Sequence, residues 1–423
     1  MEGPKGNAVV AQSGGPTAVI NASLCGVIQA ALKEPKIERV FGANNGVLGV
    51  LGEELFDCGA EDPDTIELLR MTPAAAAGSC RYKLKGLDES GADYERILEV
   101  FKAHDVHYFF YIGGNDSMDT ADKLRRLAEQ SGYELTVMGV PKTIDNDLAL
   151  TDHCPGYGST AKYLAAATME AGLDTEALYT TDTCTILEAM GRNAGWIAGA
   201  TGLASRSPGQ APNLIYFPEA PVTRERIVSD CQEVLKEFGR IFIVVCEGVR
   251  DEAGNYLAEA GGDFATDSFG HKQLGGAAEA MRSIVEKHIG VKARTNKPGT
   301  NQRAASHFAS QTDADEAWRC GRDAVRHAVS GTSGYMVTLE RLGDDPYRCE
   351  TGLAPLDDVA NGEKKVPREW INEAGNHITD TFRAYAEPLI RGELAVRLGT
   401  DGLPIYARLR KRLVERKCPP WKK

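Results

Sequence analysis

Apolar runs of strand length recur along the chain, and most stop abruptly at glycine or a charged residue. Asn7–Gln12 (NAVVAQ) gives way to Ser13-Gly14-Gly15, and Val106–Ile112 (VHYFFYI) to Gly113-Gly114-Asn115-Asp116-Ser117. Leu135–Val140 gives way to Pro141-Lys142-Thr143-Ile144-Asp145-Asn146-Asp147, and Cys184–Met190 to Gly191-Arg192. Arg39–Gly42 and Asn213–Phe217 are shorter, and Arg240–Cys246, the most apolar, ends at Glu247-Gly248. Runs of this length bounded by turn residues read as buried strands. Stretches of helical length lie between them. The pattern predicts helices from Pro16 to about Leu32, from Asp62-Pro63 onward, over Ala92–His104, after Asp116, from the 155–161 loop to about Ala177, over Thr223–Phe238 and Asp313–Val329, and from about Trp370 to Ala384. The stretch from Glu393 to the end is basic and reads as partly helical. Strand and helix alternate with no helical or all-β block, which predicts an α/β fold of two Rossmann-like lobes with largely parallel sheets. The length of 423 residues suits two such lobes meeting at a cleft.

In open α/β sheets chemistry gathers at the carboxyl ends of strands. Two loops carry Asp116, Lys142, Asp145 and Asp147 to that edge. Paired glycines let backbone approach a ligand, and a helix start offers unpaired N–H groups to an anion. A lysine among aspartates fits a site that holds phosphate, metal and a base together. Ser13-Gly14-Gly15 is a second phosphate-loop candidate. Arg81 follows a Gly-Ser turn, and a guanidinium matches phosphate bidentately. Glu247, a carboxylate at that edge, reads either as a binder of a sugar hydroxyl or as a satisfied loop carboxylate. The stretch Val291–Arg303 reads as a basic, loop-rich segment with Arg294, Lys297 and Arg303, suited to a phosphate-bearing substrate. Taken singly, the GGNDS loop reads more readily as a strand–turn–helix corner, the SGG unit equally as a plain βα corner, and the basic segment as a solvated turn. Gly156–Ala161 satisfies G-x-G-x-x-A, but Thr151–Pro155 before it is no strand, so it is a helix-opening loop and not a dinucleotide site. The glycine-rich loop Glu259–Gly276, with His271 and Lys272, suggests no chemistry by itself.

Composition narrows the classes. Hydrophobic content of 42% with 26% charged residues is that of an ordinary globular protein. There is no apolar run long enough to span a membrane and no signal-peptide pattern at the start. The ten cysteines form no CxxC pair, which suits reduced core thiols in a cytoplasmic enzyme. No histidine pair has metal spacing. A net charge of −12 argues against nucleic acid or an anionic membrane as partner. Polyanionic substrates then require a local cationic cluster, for which Arg81, Lys142, Arg192, Arg294 and Arg303 are the candidates.

The loops arrive as SGG at 13–15, GSCR at 78–81, GGNDS at 113–117, PKTIDND at 141–147, MGR at 190–192, CEG at 246–248 and the basic stretch ending at Arg303. In that order they resemble the phosphofructokinase family, over most of the chain. Asp116 and Lys142 resemble its pyrophosphate-dependent branch; the ATP-using branch usually has glycine at both positions. The resemblance implies the phosphofructokinase fold, with the active site in the cleft. It suggests a phosphoryl-donor lobe of about 1–150 plus 304–375 and a sugar-phosphate lobe of about 151–303 plus 376–423.

The resemblance also implies roles. Asp145 matches the base, with Thr143 and Asp147 beside it. Gly14, Arg81, Gly114, Asp116, Ser117 and Lys142 match the pyrophosphate side. Thr143, Asp145, Met190, Gly191, Arg192, Glu247, Arg294 and Arg303 match the fructose 6-phosphate side, and Arg192 also matches a stabiliser of the transferring group. Mg²⁺ is implied near Asn115 and Asp116, with Asn115 standing where the family commonly has aspartate. Thr300 and Thr183 stand where many ATP users have histidine and arginine. The implied reaction is reversible transfer from pyrophosphate to the 1-hydroxyl of fructose 6-phosphate, giving fructose 1,6-bisphosphate and phosphate. The implied setting is glycolysis or gluconeogenesis, in the cytoplasm, in a homodimer or homotetramer with shared sites. ATP as donor, sedoheptulose 7-phosphate as acceptor, and a non-catalytic phosphometabolite sensor stay open; the intact Asp145, Thr143 and Asp147 count against the sensor.

Overall fold

Four of the apolar runs, a short strand not expected from the sequence and a later hairpin assemble one sheet. Its strands are β1 (Gly6–Gln12), β2 (Ile37–Ala43), β3 (Leu55–Asp57), β4 (Val106–Gly113) and β5 (Thr136–Pro141), and the order runs from the hairpin through β5, β4, β1, β2 to β3. A second sheet is built from β6 (Cys184–Ala189), β7 (Leu214–Tyr216), β8 (Ile241–Cys246) and β9 (Ala293–Asn296), in the order β7-β8-β6-β9. The hairpin is β10 (Tyr335–Asp344) and β11 (Tyr347–Pro355), with β10 parallel to β5. This computed structural model describes residues 3–82, 84, 91–258 and 276–421. The expected loop 259–276, with His271 and Lys272, lies outside the described residues except for Gly276.

The central pairings β1–β2, β1–β4 and β4–β5 are parallel, as are all pairings of the second sheet. Parallel sheets covered on both faces need unbroken apolar strands, not alternating ones. That is why Val9, Val10, Phe109 and Phe110 are all fully buried. Helices Ile20–Ala31 and Gln311–Val329 close one face of the first sheet; Gly91–Ala103 and Asn115–Gln130 close the other. In the second lobe, Trp196, Phe217, Phe382 and Tyr385 join one core. Among the described residues no helix is long and apolar enough to cross a membrane. All ten cysteines are free thiols, nine of them buried.

Several expectations need correction. The first helix begins at Ile20 rather than near Pro16, because Thr17 Oγ1 accepts from Ile20 N at 2.9 Å and holds 13–19 as a loop. The segment 370–384 is helical only over Asp380–Ala386; before it the chain turns back on itself through an Ile371–Ile378 bridge. The expected basic loop 291–303 contains strand β9 and the short helix Asn301–Ala304. The C-terminal stretch is extended, not partly helical. Its backbone bonds the first lobe instead of its own previous turn: Glu61 accepts from Arg410 N at 2.9 Å and Lys411 N at 2.8 Å, and Asp57 N donates to Arg412 O at 3.0 Å. This part of the tail therefore lies against the lobe of the first sheet. The sequence reading missed the hairpin β10–β11, although Gly343-Asp344-Asp345-Pro346 is a turn signal where its strands meet.

Candidate active site

The carboxyl ends of β1, β4 and β5 meet those of β6 and β8 across the cleft. On the first side, Gly14 turns with φ 76°, and a Cβ there would stand 3.1 Å from Lys142 Nζ. Lys142 is 3% exposed and runs beneath this turn, donating from Nζ to Gly15 O at 2.9 Å. The GSCR loop clasps the same turn through Ser79 Oγ to Gly14 O at 2.6 Å and Gly14 N to Cys80 O at 3.2 Å. Lys142 N also bonds Gly113 O at 3.0 Å, so the loops after β4 and β5 are tied together. Gly114 caps the helix that begins at Asn115, with Asp116 in its first turn and Ser117 buried. An acidic side chain there is favoured by the helix dipole.

The loop after β5 is shaped by Asn146, which sits at φ 55° and is fully buried. Its amide donates to Tyr385 Oη at 2.8 Å and accepts from Cys154 N at 2.9 Å. Asparagine tolerates this left-handed backbone through such local bonds. The turn presents the carboxylates on either side of it, Asp145 and Asp147, as one acidic group. Thr143 Oγ1 accepts from Asp145 N at 3.1 Å.

Both carboxyls are held high. Asp145 is raised to about 6, first by burial and then by Glu247, with Arg192, Lys142 and Arg303 opposing. Asp147 is raised to about 7 by burial and by Asp145. Lys142 is lowered to about 8 by burial, with Arg303 and Arg81 adding to the fall and Asp145 and Asp147 resisting it. Arg303 is lowered by burial and by Arg81. Carboxylates crowd carboxylates and cations crowd cations. Such frustration marks a site whose ligands bring the missing charges.

Asn115 Oδ1 is buried with no hydrogen-bond partner, and its Nδ2 lies 3.4 Å from Asp147 Oδ2. An orphaned amide oxygen beside a crowded carboxylate is the oxygen-rich donor set that a hard divalent cation takes. The carboxylate brought to Asn115 is that of Asp147, which the sequence had not assigned to metal.

On the second side, Gly191 adopts φ 134° and donates to Glu247 Oε1 at 3.2 Å. A side chain at that φ would be strained. Glu247 is raised by burial and by Glu188, with Arg192 opposing. Met190 N donates to Gln302 Oε1 at 2.9 Å. Arg303, the next residue, crosses the cleft: a Cβ on Gly15 would stand 3.0 Å from its guanidinium. The structure thus gathers Gly14, Arg81, Asn115, Lys142, Thr143, Asp145, Asp147, Met190, Gly191, Arg192, Glu247 and Arg303 around one cleft, with Gly114, Asp116 and Ser117 at the helix start beside it.

Arg294 is not brought there. It sits on β9 opposite Thr185, near the amino end of β6, paired with Asp182, which also holds Lys292 at 2.7 Å. Five residues of strand, about 16 Å, separate that level from Met190. Gln302, Asn146 and the 363–366 segment were not singled out in the sequence. Gln302 had one signal, its place beside Arg303; Asn146 read as part of an acidic motif. His153, Glu316 and Cys349 lie within 4.8 Å of one another like a metal set. The imidazole is already taken, however, by Asp152 at 2.7 Å and Glu316 at 2.6 Å.

Residues 7–306 match the phosphofructokinase family. The chain is 48% identical over 417 residues to the pyrophosphate–fructose 6-phosphate 1-phosphotransferase of Xanthomonas campestris pv. campestris, with 98% of this chain and 99% of that one covered. It is 47% identical over 418 residues to the Halomonas elongata protein of the same name, covering 98% and 99%. A crystal structure of pyrophosphate-dependent phosphofructokinase from Marinobacter aquaeolei matches with a TM-score of 0.89 and 44% identity, over 99% of this chain and 100% of that one.

Proposed function

This chain belongs to the phosphofructokinase family, and on that premise we propose that it moves a phosphoryl group reversibly between pyrophosphate and fructose 6-phosphate. The observation that carries the chemistry is Asp145, a carboxylate raised to about 6 and ringed by Arg192, Lys142 and Arg303. A base works best with a pKa near the operating pH. Asp145 accepts the proton of the sugar 1-hydroxyl as that oxygen attacks the terminal phosphorus of pyrophosphate. Thr143 Oγ1 holds the Asp145 backbone in place. Lys142 and Arg192 offset the charge on the transferring group, which is where most of the catalysis of phosphoryl transfer lies. Gly14, Gly114, Ser117 and Arg81 line the pyrophosphate side; Met190, Gly191, Glu247 and Arg303 line the sugar side. In the reverse direction Asp145 returns the proton.

Asn115 and Asp147, with Asp116 at the same helix start, would hold Mg²⁺, whose role there is to neutralise pyrophosphate oxygens. The donor lobe is taken as about 1–150 plus 304–375, joined by the tail, with the remainder forming the sugar-phosphate lobe. We place the enzyme in the cytoplasm, as a homodimer or homotetramer. Arg294, more than half exposed and far from its own cleft, can then meet a sugar phosphate only in another copy.

The test is a donor panel of pyrophosphate, ATP and polyphosphate at matched magnesium. Pyrophosphate should exceed ATP at least about tenfold in kcat/KM, close to 1.4 kcal/mol. Equal or better use of ATP overturns the donor assignment, and no turnover with any donor overturns the enzyme reading.

A further inference from the structure

Asp145 and Asp147 follow β5 of the first sheet, whereas Arg192 follows β6 of the second. A shift of one lobe against the other would change the distance between base and guanidinium. One residue outside both loops spans them. Lys364 N donates to Asp147 O at 2.8 Å. Its ammonium reaches on to Thr151 O at 3.2 Å and Asp152 O at 2.6 Å. The same residue therefore staples both ends of the turn that follows the acidic motif. From its other side, Lys364 O accepts from Trp196 Nε1 at 2.9 Å, and Trp196 opens the short helix directly after the Arg192 loop. The ammonium also lies 5.2 Å from the Trp196 ring, within cation–π range. Two residues on, Val366 N donates to Glu219 Oε1 at 3.0 Å, and that carboxylate accepts from Gly195 N at 3.0 and 3.1 Å.

We propose that Lys364 is a positioning residue for phosphoryl transfer: it splices the loop carrying Asp145 and Asp147 to the loop carrying Arg192 and so fixes the spacing of base and guanidinium. The inference rests on the functional reading above. Lysine suits the place because its long stem lets one residue bond Asp147 through the backbone and Thr151 and Asp152 through the side chain. Without the ammonium, the Thr151 and Asp152 carbonyls lose a charged donor in a half-buried setting, and the turn relaxes toward other partners. A displacement of about 1 Å in a reacting group costs on the order of a hundredfold in rate.

The experiment is steady-state kinetics in both directions on the full chain, with kcat expressed per folded protein from circular dichroism at the assay temperature. In Lys364→Met, kcat should fall by about tenfold to a hundredfold. The KM values for fructose 6-phosphate and pyrophosphate should stay within about threefold, because the groups that bind them remain. Lys364→Arg, which keeps charge and donors, should recover at least about threefold of the loss. A residue that merely supports the fold would lower the folded fraction and leave kcat per folded protein unchanged. If Lys364→Met does not fold, Trp196→Phe cuts the splice from the other side and should lower kcat by about threefold or more at constant KM. The inference is overturned by a folded Lys364→Met with kcat within about twofold of wild type, by KM rising in step with the fall in kcat, or by an unchanged Trp196→Phe where only that variant folds. A wild type inert with pyrophosphate overturns the functional reading and this inference with it; an active wild type with an indifferent Lys364 overturns the inference alone.

Discussion

The stretch after β5 carries Asp145 and Asp147 and, a few residues on, Asp152, which shares His153 with Glu316 of the helix Gln311–Val329. The two sets of carboxylates live in opposite electrostatic conditions. Asp145 is raised to about 6 by burial and by Glu247, and Asp147 to about 7 by burial and by Asp145. Asp152 is lowered, although burial works against it, by His153 and Arg341. Glu316, its counterpart across the imidazole, is lowered by His153, Tyr347 and Arg319. His153 itself is raised, with Glu316 and Asp152 outweighing its burial. The second set is complete: Arg341 lies 3.0 Å from Asp152, and Tyr347 Oη donates to Glu316 at 2.8 Å. The first set has Arg192, Lys142 and Arg303 around Asp145, yet burial and the neighbouring carboxylates outweigh them. The same residue types at similar burial thus serve two ends. Where internal partners outweigh burial the group is structural, and where they do not the group is left for substrate, cation or proton.

The largest way to break this contrast is to remove the base. Asp145→Asn keeps the shape and loses the proton acceptor, and loss of a general base costs about 10²–10⁴-fold. Turnover should collapse in both directions while fructose 6-phosphate still binds, read by steady-state kinetics and calorimetry. A variant retaining more than about a third of wild-type kcat would remove Asp145 from that role.

The second way acts on the closed set. His153→Gln leaves Asp152 and Glu316 without their shared cation, and opening a buried ion pair costs about 3 kcal/mol or more of stability. Its effect on kcat per folded protein should be at least about tenfold smaller than that of Asp145→Asn. The pH dependence has a definite sign. His153 is raised, so its contribution is full below its ordinary 6.5 and is lost as pH climbs through the folded value. Asp152 and Glu316 are lowered, so theirs is present above the ordinary carboxylate range and lost as pH falls through their folded values. Denaturant titrations from pH 4 to 8 should show wild type losing stability above about 6.5, and the variant losing less of it there. An identical profile for the two proteins would show that His153 is not the linking cation.

Much of this could be read in the chain, for identifiable reasons. Strands β1, β4, β5, β6 and β8 were legible because parallel burial leaves unbroken apolar runs ending at glycine or charge. The site loops were legible because each follows such a run. What failed was structure set by distant partners. The tail became extended because Glu61 and Asp57, far away in sequence, hold its backbone. Arg294 read as part of a basic cluster, yet strand register places it at the other end of the sheet. The difference between Asp147 and Asp152 was equally hidden, because it depends on His153, Glu316 and Arg341 meeting in space. Lys364 lay in a charged run, GEKK, that reads as a solvated surface.

The smallest expected effect concerns Asp116, and it asks whether an acidic group at the edge of the open set selects the donor. Asp116 stands in the first turn of the helix Asn115–Gln130. In the family's ATP users, glycine at this position leaves room beside the nucleotide α-phosphate. A carboxylate would fill that room and face a like charge. Two unit charges about 4 Å apart repel by about 4 kcal/mol at an effective dielectric near 20. Magnesium and Asn115 screen part of this, and a quarter of it, about 1 kcal/mol, is about fivefold in rate. Specificity built on repulsion relaxes when the repelling group is removed. Asp116→Gly should therefore raise the ATP-to-pyrophosphate ratio of kcat/KM by about fivefold. Lys142 is held by Gly15 O and faces Asp145 and Asp147 as its main opposite charges. It should stay in place, so pyrophosphate use should fall less than it does when Lys142→Gly is added. The measurement is kcat/KM for both donors in wild type, the single variant and the double variant. An unchanged ratio in a folded Asp116→Gly would leave donor choice to Lys142 and the SGG turn beneath which it runs.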